Sequence, residues 1–378
     1  MNLLFSLEAA QPFGANKWHG GGKYAEVVFF RMIERNEKFS CYYDSRKWIN
    51  PLVMEACKKN DVPLFDLKDE KLSVIVKNNN FDAVFAPLLR GELFKLTDTR
   101  IIFPIHDMRG LTMPNDWMQL RYKQNLKGTL RSILQLSFHK LWLKREYERV
   151  APIILNSNNT LYSVSFYSKY SLLSFFPELK DDKIKVFYSP DTTKYNSASI
   201  ASQGKYFLMV SGNRWVKNNF RAIIALDKLI SENRLKDYNV VITGAKADDF
   251  RCKLRNINRF DFIGYVDDKK LTELYANCYA FIFPSLSEGF GYPPIEAMKY
   301  GKPVIASPFS AISEICADAA LYFNPFDSME IYNRLLMLLN ENIYQELSRK
   351  SLDRFGFVSQ KQKKDLDELI DYILRNKI

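Results

Sequence analysis

The residue types best suited to chemistry are concentrated in one stretch of the chain, 281–307. Glu288 opens an expected loop that contains Gly289 and Gly291, and Glu296 lies in the first turn of the helix expected to follow. Glycine lets backbone N–H groups approach a ligand closely, and a helix N-terminus adds about half a positive charge. Such a loop suits anionic oxygens or sugar hydroxyls. The two carboxylates would repel phosphate, so they are predicted to accept hydrogen bonds from hydroxyl groups such as those of a ribose and a second sugar.

A purely structural interpretation of the same residues is also open. In it, Glu288 caps the loop and Glu296 complements the dipole of the following helix. Residue types and spacing do not separate this interpretation from sugar binding.

A second loop carries two cations after another expected strand. Arg214 and Lys217 follow Gly212 in the segment 211–218, before a helix expected to begin near Asn219. Positive side chains at the start of a helix oppose its dipole, which indicates that another interaction keeps them there. A diphosphate would supply that interaction, because charge-assisted hydrogen bonds strengthen as negative charge develops on a leaving group. The alternative is a solvated basic pair.

Short apolar runs separated by helical stretches must position these loops, and this alternation predicts parallel, doubly wound sheets. In such sheets, ligands bind at the C-terminal ends of the strands. The expected strands of the first half are 1–7, 39–43, 81–85, 101–105 and 153–156. Those of the second half are 206–211, 239–243, 261–263, 280–283, 304–306 and 321–323. The expected linker is 191–204, and the expected closing helices are 328–340 and 360–375.

Composition indicates a folded protein with a basic surface. The chain has 378 residues, of which 47% are hydrophobic and 26% charged, and this size is typical of two α/β domains. It contains no run of about 20 apolar residues, so no membrane span is expected. The segment from Met1 to Glu8 lacks a basic region and is interpreted as the first strand, not as a signal peptide. The formal charge of +11 favours nucleotide phosphates, an anionic membrane surface or nucleic acid as partners, without choosing among them.

Thiol and metal chemistry are not indicated. The five cysteines are scattered without a C-x-x-C pair, which indicates reduced thiols in the cytosol and no zinc site. The Asp-x-Asp sequence at Asp365 and Asp367 lies on an expected helix, where residues two apart diverge around the axis. We therefore expect neither a metal ion nor another cofactor.

The segment 121–149 is strongly basic and also carries apolar residues at near-helical spacing. Its cations are Arg121, Lys123, Lys127, Arg131, Lys140, Lys144, Arg145 and Arg149. Its apolar residues include Leu126, Leu130, Ile133, Leu134, Leu141 and Trp142. Two interpretations are open: a helix pair packed in the core with a solvated basic face, or a surface that rests on anionic lipid.

The stretch from Glu288 to Glu296, reading Glu-Gly-Phe-Gly-Tyr-Pro-Pro-Ile-Glu and followed by Ala-Met and Gly301-Lys-Pro-Val, resembles the E-x7-E signature of the family-four retaining glycosyltransferases. These enzymes have the GT-B fold. The resemblance implies an α/β protein with two doubly wound, Rossmann-like domains whose mainly parallel sheets face a central cleft. The implied domains are an acceptor-side domain at 1–195 and a nucleotide-sugar-binding domain at 204–360, with a terminal helix at 361–378 that returns to the first domain.

Further motifs resemble functional segments of this family. His106-Asp107 is similar to a His-Asp motif whose histidine contacts the donor sugar, and Gly264-Tyr265-Val266 is similar to the loop whose backbone reads the nucleobase. The loop with Arg214 and Lys217 is similar to the Gly-Arg-x-x-x-Lys-Asn loop that holds the donor diphosphate, although its Arg is displaced by one from the glycine. The triple glycine at 20–22, a surface turn on its residues alone, is similar to a glycine-rich loop that faces the donor phosphates.

The resemblance therefore implies two sets of site residues. The implied catalytic residues are Glu288, His106, Lys217 and Arg214. The implied donor-binding residues are Glu296, Gly289, Phe290, Gly291, Tyr292, Val266, Gly212, Gly21 and Gly22. No metal-binding residue is implied. Ser165, in a segment similar to the family's Val-Ser-x-x-Ser, is interpreted as a helix N-cap.

The implied function is metal-independent transfer of a hexose-type sugar, with retention of configuration, from GDP-mannose or a UDP-sugar. The acceptor would be a glycan or lipid-linked molecule in the synthesis of cell-surface polysaccharide or lipopolysaccharide. The implied location is the cytoplasm, with peripheral contact with the anionic inner membrane face as a further expectation. No nucleic-acid partner is expected, because no recognised nucleic-acid motif is present. The alternatives are a sugar-nucleotide epimerase or phosphorylase on a similar scaffold, or a non-catalytic basic binding protein.

Overall fold

The computed structural model describes residues 1–12, 19–193, 204–250 and 253–375, so most of the expected linker lies outside the described residues. The chain divides into two compact units. The first is formed from Met1–His106, Glu148–Thr192 and Lys361–Ile378, and the second from Asp107–Tyr147 and Thr193–Gln360.

Strands and helices alternate along most of the described chain. The strands are β1 (Leu3–Ser6), β2 (Ser40–Tyr43), β3 (Leu64–Asp66), β4 (Ala83–Phe85), β5 (Arg100–Ile105), β6 (Thr160–Ser163), β7 (Lys185–Val186), β8 (Tyr206–Met209), β9 (Asn239–Thr243), β10 (Phe260–Gly264), β11 (Ala280–Phe283), β12 (Val304–Ala306) and β13 (Ala320–Tyr322). The helices are α1 (Gly20–Glu34), α2 (Pro51–Lys59), α3 (Leu72–Asn78), α4 (Arg109–Thr112), α5 (Leu126–Ser137), α6 (His139–Ile154), α7 (Phe166–Phe175), α8 (Asn219–Ser231), α9 (Asp268–Asn277), α10 (Tyr292–Met298), α11 (Ala311–Cys316), α12 (Ser328–Leu338) and α13 (Glu341–Arg375).

The first unit is built on a parallel sheet with the strand order β3-β2-β1-β4-β5-β6-β7. Its core contains close aromatic contacts, such as that of Phe5 with Phe29, whose ring centroids are 5.9 Å apart. Leu369, Ile370 and Ile373 near the end of α13 are buried in the same core. The end of the chain is therefore an integral part of the unit that begins it.

The start of α1 corrects one expectation. The glycines at 20–22 form the first turn of this helix, not a loop. His19 caps the helix, because its Nδ1 accepts a hydrogen bond of 3.0 Å from the backbone N–H of Gly22. A Cβ atom on Gly22 would lie 3.0 Å from the His19 ring, and one on Gly21 would lie 3.3 Å from Leu88. Close packing around the cap thus explains Gly22, and the predicted contacts of Gly21 and Gly22 with a donor stay predictions.

The second unit is built on a parallel sheet with the order β10-β9-β8-β11-β12-β13. The order of the strands reverses between β8 and β11. Fully buried side chains from the strands and from α8 and α12 form its core, among them Phe207, Ile223, Ile242, Ile282 and Leu335. Two parallel, Rossmann-like halves confirm the predicted α/β fold class.

Residues 107–147 belong to the second unit, although strands of the first unit precede and follow them in sequence. Asp116 accepts two hydrogen bonds, of 2.9 and 3.0 Å, from the guanidinium group of Arg221 on α8. Tyr122 accepts one of 2.9 Å from the backbone N–H of Phe220, and its ring packs edge-on against Phe250. These contacts anchor a segment that the predicted first domain, 1–195, included without interruption.

The helices of this segment, α5 and α6, expose a row of large apolar side chains. Their exposed fractions are 78% for Leu126, 56% for Leu130, 59% for Leu134, 60% for Phe138 and 47% for Leu141. Leu126, Leu130 and Leu134 are four residues apart and therefore lie on one side of α5. Phe138 follows as the C-cap of α5, and Leu141 lies in the first turn of α6. We call these five side chains the apolar face. The interpretation in which these leucines pack in the core is therefore wrong.

Most predicted strands lie where the apolar pattern placed them, and those at 239–243, 280–283 and 304–306 are confirmed residue for residue. The strand predicted at 153–156 was wrong, because Ile153 and Ile154 are the buried end of α6. The strands β3, β6 and β7 were not predicted. They lie towards the edges of the sheet, where the apolar signal of a short strand is weak.

Candidate active site

The two loops singled out in the sequence are neighbours in the second unit. They follow β8 and β11, which pair with each other at the point where the order of the strands reverses. The backbone N–H of Leu286 donates to the carbonyl of Val216 at 2.8 Å and joins the loops directly. In doubly wound sheets, this position at the C-terminal ends of the strands is where ligands bind.

Lys217 and Glu288 form a buried ion pair where these loops meet. Lys217 Nζ lies 2.6 Å from Glu288 Oε1, and the two side chains are only 8% and 11% exposed. Ser285 Oγ donates to the same carboxylate oxygen at 2.5 Å. The Lys217 ammonium also lies 4.9 Å from the centre of the Phe283 ring. The resemblance assigned Lys217 to the diphosphate and Glu288 to the sugar, and the structure pairs these two residues with each other.

Burial and neighbouring charges act in opposite directions on Glu288. Burial would raise its pKa, but the attraction of Lys217 and Arg109 outweighs burial, so the pKa lies below its usual value. Burial is also the largest influence on Lys217, and it lowers the pKa of this lysine. Repulsion from Arg214 and Arg109 acts in the same direction, against the attraction of Glu288. The pair thus lies in a region where positive charges are in excess.

Arg109 is a third cation at this site, and the sequence motifs did not indicate it. It lies on α4, forms an ion pair of 3.1 Å with Asp107, and donates to the carbonyl of Ser287 in the second loop at 3.2 Å. Burial lowers the pKa of Arg214, and the neighbouring charge of Arg109 lowers it further. The signal that could have found Arg109 is its place directly after the end of β5, where a His-Asp motif was already noted.

The turn that presents Lys217 is held by the residue after it. Asn218 has a left-handed backbone with φ of 55°, a conformation in which asparagine is tolerated better than most residues. Its side-chain amide donates to the carbonyls of Pro284 and Pro325 at 3.1 and 2.7 Å. Asn218 is buried and donates two hydrogen bonds, so the backbone next to Lys217 is held in place and keeps Lys217 in its position.

Backbone geometry and packing explain two of the predicted donor-binding glycines. Gly291, the residue before α10, has a φ of 111°, which strongly favours glycine. A Cβ atom on Gly212 would lie 2.6 Å from the Cβ atom of Ala245, so packing already requires glycine there. Donor binding stays a prediction for both residues and for Gly289.

Other predicted donor-binding residues also lie in this unit. Glu296 on α10 is close to Tyr275 of α9, whose pKa is raised by burial and further by this carboxylate. Phe290 is buried, and its ring centroid lies 5.3 Å from that of Tyr292. Val266 follows the end of β10, beyond β9 in the sheet. Their contacts with a donor stay predictions.

His106 belongs to the first unit and follows the end of β5. Its Nε2 atom lies 2.8 Å from the carbonyl oxygen of Pro87, and since a carbonyl can only accept, Nε2 carries the proton. Its ring packs edge-on against Tyr24, with centroids 4.9 Å apart. Ser168 Oγ donates to the His106 carbonyl at 2.8 Å, and the Ser168 N–H donates to Ser165 Oγ at 3.1 Å, which confirms Ser165 as a helix cap.

The remaining candidates for metal chemistry have structural partners. Asp365 accepts a hydrogen bond of 2.7 Å from the backbone N–H of Tyr188, and Asp367 pairs with Arg31 at 2.8 Å. In the described ranges, no group of three or more His, Cys, Asp or Glu side chains is arranged to hold a metal ion. Metal independence stays a prediction. Over the same residues, no helix combines the length and the apolar character needed to cross a bilayer.

Comparison with known proteins indicates the enzyme class and the fold. The family model for glycosyl transferases group 1 matches residues 191–356, which contain both loops and Glu296. The O-antigen chain mannosyltransferase RfbU from Salmonella typhimurium is 28% identical over 305 residues, which cover 77% of this chain and 74% of RfbU. The crystal structure of WaaG, a glycosyltransferase involved in lipopolysaccharide biosynthesis, superposes with a TM-score of 0.66 at 14% identity, over 97% of this chain and 99% of WaaG. This chain is a glycosyltransferase of the GT-B fold, and its residues 191–356 match group 1 of these enzymes.

Other relatives of this glycosyltransferase agree with that assignment. The O-antigen chain mannosyltransferase B from Escherichia coli is 29% identical over 155 residues, which span 39% of this chain and 40% of the relative. HepE from Anabaena, crystallised in complex with UDP and glucose, has a TM-score of 0.64 at 14% identity, over 99% of each chain. At that identity, the structural likeness concerns the fold alone.

Proposed function

We propose that this glycosyltransferase moves a hexose-type sugar from a nucleoside diphosphate sugar to a glycan or lipid-linked acceptor in cell-surface polysaccharide synthesis. The relatives RfbU and mannosyltransferase B are named O-antigen chain mannosyltransferases, which makes GDP-mannose the first donor to test. HepE has been crystallised with UDP-glucose, so UDP-sugars are the second class of donor. The proposed location is the cytoplasm.

The observation that carries the proposal is the excess of positive charge around Glu288. Lys217 pairs with Glu288 at the C-terminal ends of β8 and β11, and the charges of Arg214 and Arg109 also act on this carboxylate. In a site that excludes water, preorganised cations stabilise charge that develops on a leaving group. A diphosphate carries such charge, and it would compete with Glu288 for the same cations.

The proposed reaction needs no protein nucleophile and no metal ion. The acceptor hydroxyl oxygen forms a bond to the anomeric carbon on the face from which the diphosphate departs. The bond between that carbon and the phosphate oxygen breaks, its electron pair stays on the diphosphate, and the hydroxyl proton passes to a phosphate oxygen. Arrival and departure on one face retain the configuration of the sugar.

The proposed roles follow the chemistry of each side chain. Lys217 and Arg214 stabilise the departing diphosphate, and Glu288 orients the sugar through its hydroxyl groups. Glu296 accepts hydrogen bonds from the ribose, and His106 contacts the donor sugar. The backbone N–H groups of Gly289, Gly291 and neighbouring residues bind phosphate oxygens.

A thermal-shift panel of GDP, UDP, ADP and their sugars tests donor binding. At a concentration about 100 times the Kd, a ligand stabilises the folded state by about 2.7 kcal/mol, which corresponds to a rise in Tm of about 5–10 °C for a unit of this size. We expect such a rise for the nucleotides of one base, together with transfer of the matching sugar to a mannoside acceptor. Absence of any shift across the panel would contradict the proposal.

We further propose that the apolar face rests on an anionic membrane surface. Exposed cations flank its leucines on the same helices, among them Lys127, Arg131, Lys140 and Lys144. A row of apolar side chains bordered by lysine and arginine is the pattern of helices that lie in the headgroup region. Each such cation contributes about 1 kcal/mol near anionic lipid.

Vesicle flotation tests this contact. The double variant Leu130→Glu/Leu134→Glu should lose binding to vesicles that contain phosphatidylglycerol, because it places two carboxylates on the apolar face. The matched control is Leu52→Glu on α2, at a leucine that is 58% exposed but lies elsewhere in the chain. Equal binding of the double variant and the control would contradict membrane contact through this face. Equal binding of the wild type to purely zwitterionic vesicles would contradict the preference for an anionic surface.

A further inference from the structure

A cavity of about 450 Å³ lies within the second unit, beside the cations of the candidate active site. One wall comes from the segment 107–147 and carries Arg109, Gln135, His139 and Trp142. The other comes from the loop after β8 and carries Arg214 and Trp215. Its volume lies in the range of sites for small molecules, roughly 300–1,000 Å³.

The lining of the cavity combines flat aromatic surfaces with side-chain amides. His139 and Trp142 are stacked, with ring centroids 6.3 Å apart and planes inclined by 18°. Trp215 contributes a second indole, and Gln135 contributes a primary amide. A pyranose ring presents apolar C–H groups on its faces and hydroxyl groups around its edge. The electron-rich face of an indole suits the C–H groups, and amides suit the hydroxyls.

The cavity shares two residues with the candidate active site. Arg109 and Arg214 line it, and both also act electrostatically on the pair of Lys217 and Glu288. Arg109 Nε is buried and has no hydrogen-bond partner among the described residues. A molecule in the cavity would therefore lie next to the cations that are proposed to bind the donor diphosphate.

We infer that this cavity is the subsite for the acceptor saccharide, and that the stacked pair of His139 and Trp142 recognises a terminal pyranose ring. The inference rests on the proposed function, because a transferase must bring an acceptor hydroxyl next to the departing diphosphate. Trp142 is a specificity-determining residue in this arrangement. Arg109, at the border of the two ligands, is a positioning residue for both.

Saturation-transfer NMR with methyl α-D-mannopyranoside and methyl N-acetyl-β-D-glucosaminide tests the inference on the complete chain. Wild-type protein should saturate at least one glycoside, and Trp142→Ala should weaken its binding about three- to tenfold, the range expected for loss of one aromatic stacking partner. The matched control is Trp117→Ala, because Trp117 lies in the same segment, is 52% exposed and does not line the cavity. Trp142→Phe, which keeps a ring, should bind more tightly than Trp142→Ala.

Kinetics with GDP-mannose and octyl α-D-mannopyranoside give a second measure. Trp142→Ala should raise the KM for the octyl mannoside while the KM for GDP-mannose and the Tm rise with GDP stay unchanged. If Trp142→Ala does not fold, Gln135→Ala replaces it in both measurements, with the same direction of change expected. Equal glycoside binding by Trp142→Ala and Trp117→Ala, or no saturation of either glycoside by wild type, would overturn the inference. Failure of the proposed function would be seen separately, as absence of a GDP, UDP or ADP shift in the wild type.

Discussion

Replacing Lys217 by Met removes one partner of the buried ion pair while keeping much of the side-chain volume. The other partner, Glu288, is 11% exposed and would be left buried without its closest cation. Breaking a buried pair in this way costs about 3–5 kcal/mol. Arg109 and Arg214 lie near enough to affect the charges of this site, so we expect the lower end, about 3 kcal/mol, or a fall in Tm of about 6–12 °C.

The double variant Lys217→Met/Glu288→Gln removes both charges. This variant should recover a large part of the stability that Lys217→Met loses, because no carboxylate is left buried. The amide oxygen that Glu288→Gln introduces can still accept a hydrogen bond from Ser285. Differential scanning calorimetry of the wild type, both single variants and the double variant gives the coupling between the two side chains. Arg349→Met is the matched control, since its pair with Asp353 has side chains that are 68% and 69% exposed; an exposed pair contributes little.

The same variant tests the chemistry. Loss of one preorganised charge-stabilising group typically reduces kcat by about 10²–10³-fold. We expect a reduction of this size for Lys217→Met and none for Arg349→Met. An unchanged Tm in Lys217→Met, or losses that are strictly additive in the double variant, would refute the buried pair; unchanged kcat would remove Lys217 from the reaction.

Three further predictions concern the elements around the site. Gly291→Ala should destabilise the protein by about 1–2 kcal/mol because of its positive φ, whereas Gly356→Ala, within α13, should not lower the Tm. Asp116→Ala should cost about 3 kcal/mol and make 107–147 more sensitive to limited proteolysis, because Arg221 loses its carboxylate partner; an unchanged cleavage rate would contradict the anchoring role. The pKa of Glu288 is depressed in the folded state, so its contribution to stability is present at neutral pH and is lost as the pH falls through that value. The Tm difference between wild type and Glu288→Gln, measured by scanning calorimetry, should therefore shrink as the pH is lowered from neutral to below the usual pKa of a glutamate, and a difference that grows would contradict this sign.

The fold of the second unit could be predicted because each of its strands carries a local signal. The run 280–283 is apolar and stops at Pro284, and Gly301 ends the turn after α10 with a φ of 62°. In these segments, the spacing of the apolar residues, the length of each apolar run and the turn residues that follow it all indicate the same strands and helices. The position of residues 107–147 could not be predicted in this way, because it depends on contacts such as that of Asp116 with Arg221, which are distant in sequence and carry no periodic signal.

Two residues of the candidate site were singled out from the sequence, but the contact between them was not predicted. The sequence indicated Lys217 and Glu288 as functional, yet their pairing across 71 positions follows from the adjacency of β8 and β11 in the sheet. Arg109 had no motif of its own, and its place beside Ser287 depends on the tertiary packing of α4. The glycines at 20–22 were expected in a surface turn or loop, and the hydrogen bond from the Gly22 N–H to His19, a contact that the sequence pattern does not show, instead caps a helix there.

The contribution of α13 to the core of the first unit sets an order of events during synthesis. Leu369, Ile370 and Ile373 complete that core, but the ribosome makes them only after the whole second unit. At a synthesis rate of about 5–20 residues per second, roughly 10–40 s pass between synthesis of the last strand of the first sheet and synthesis of these apolar side chains. The unit that begins the chain is therefore the last to complete its apolar core.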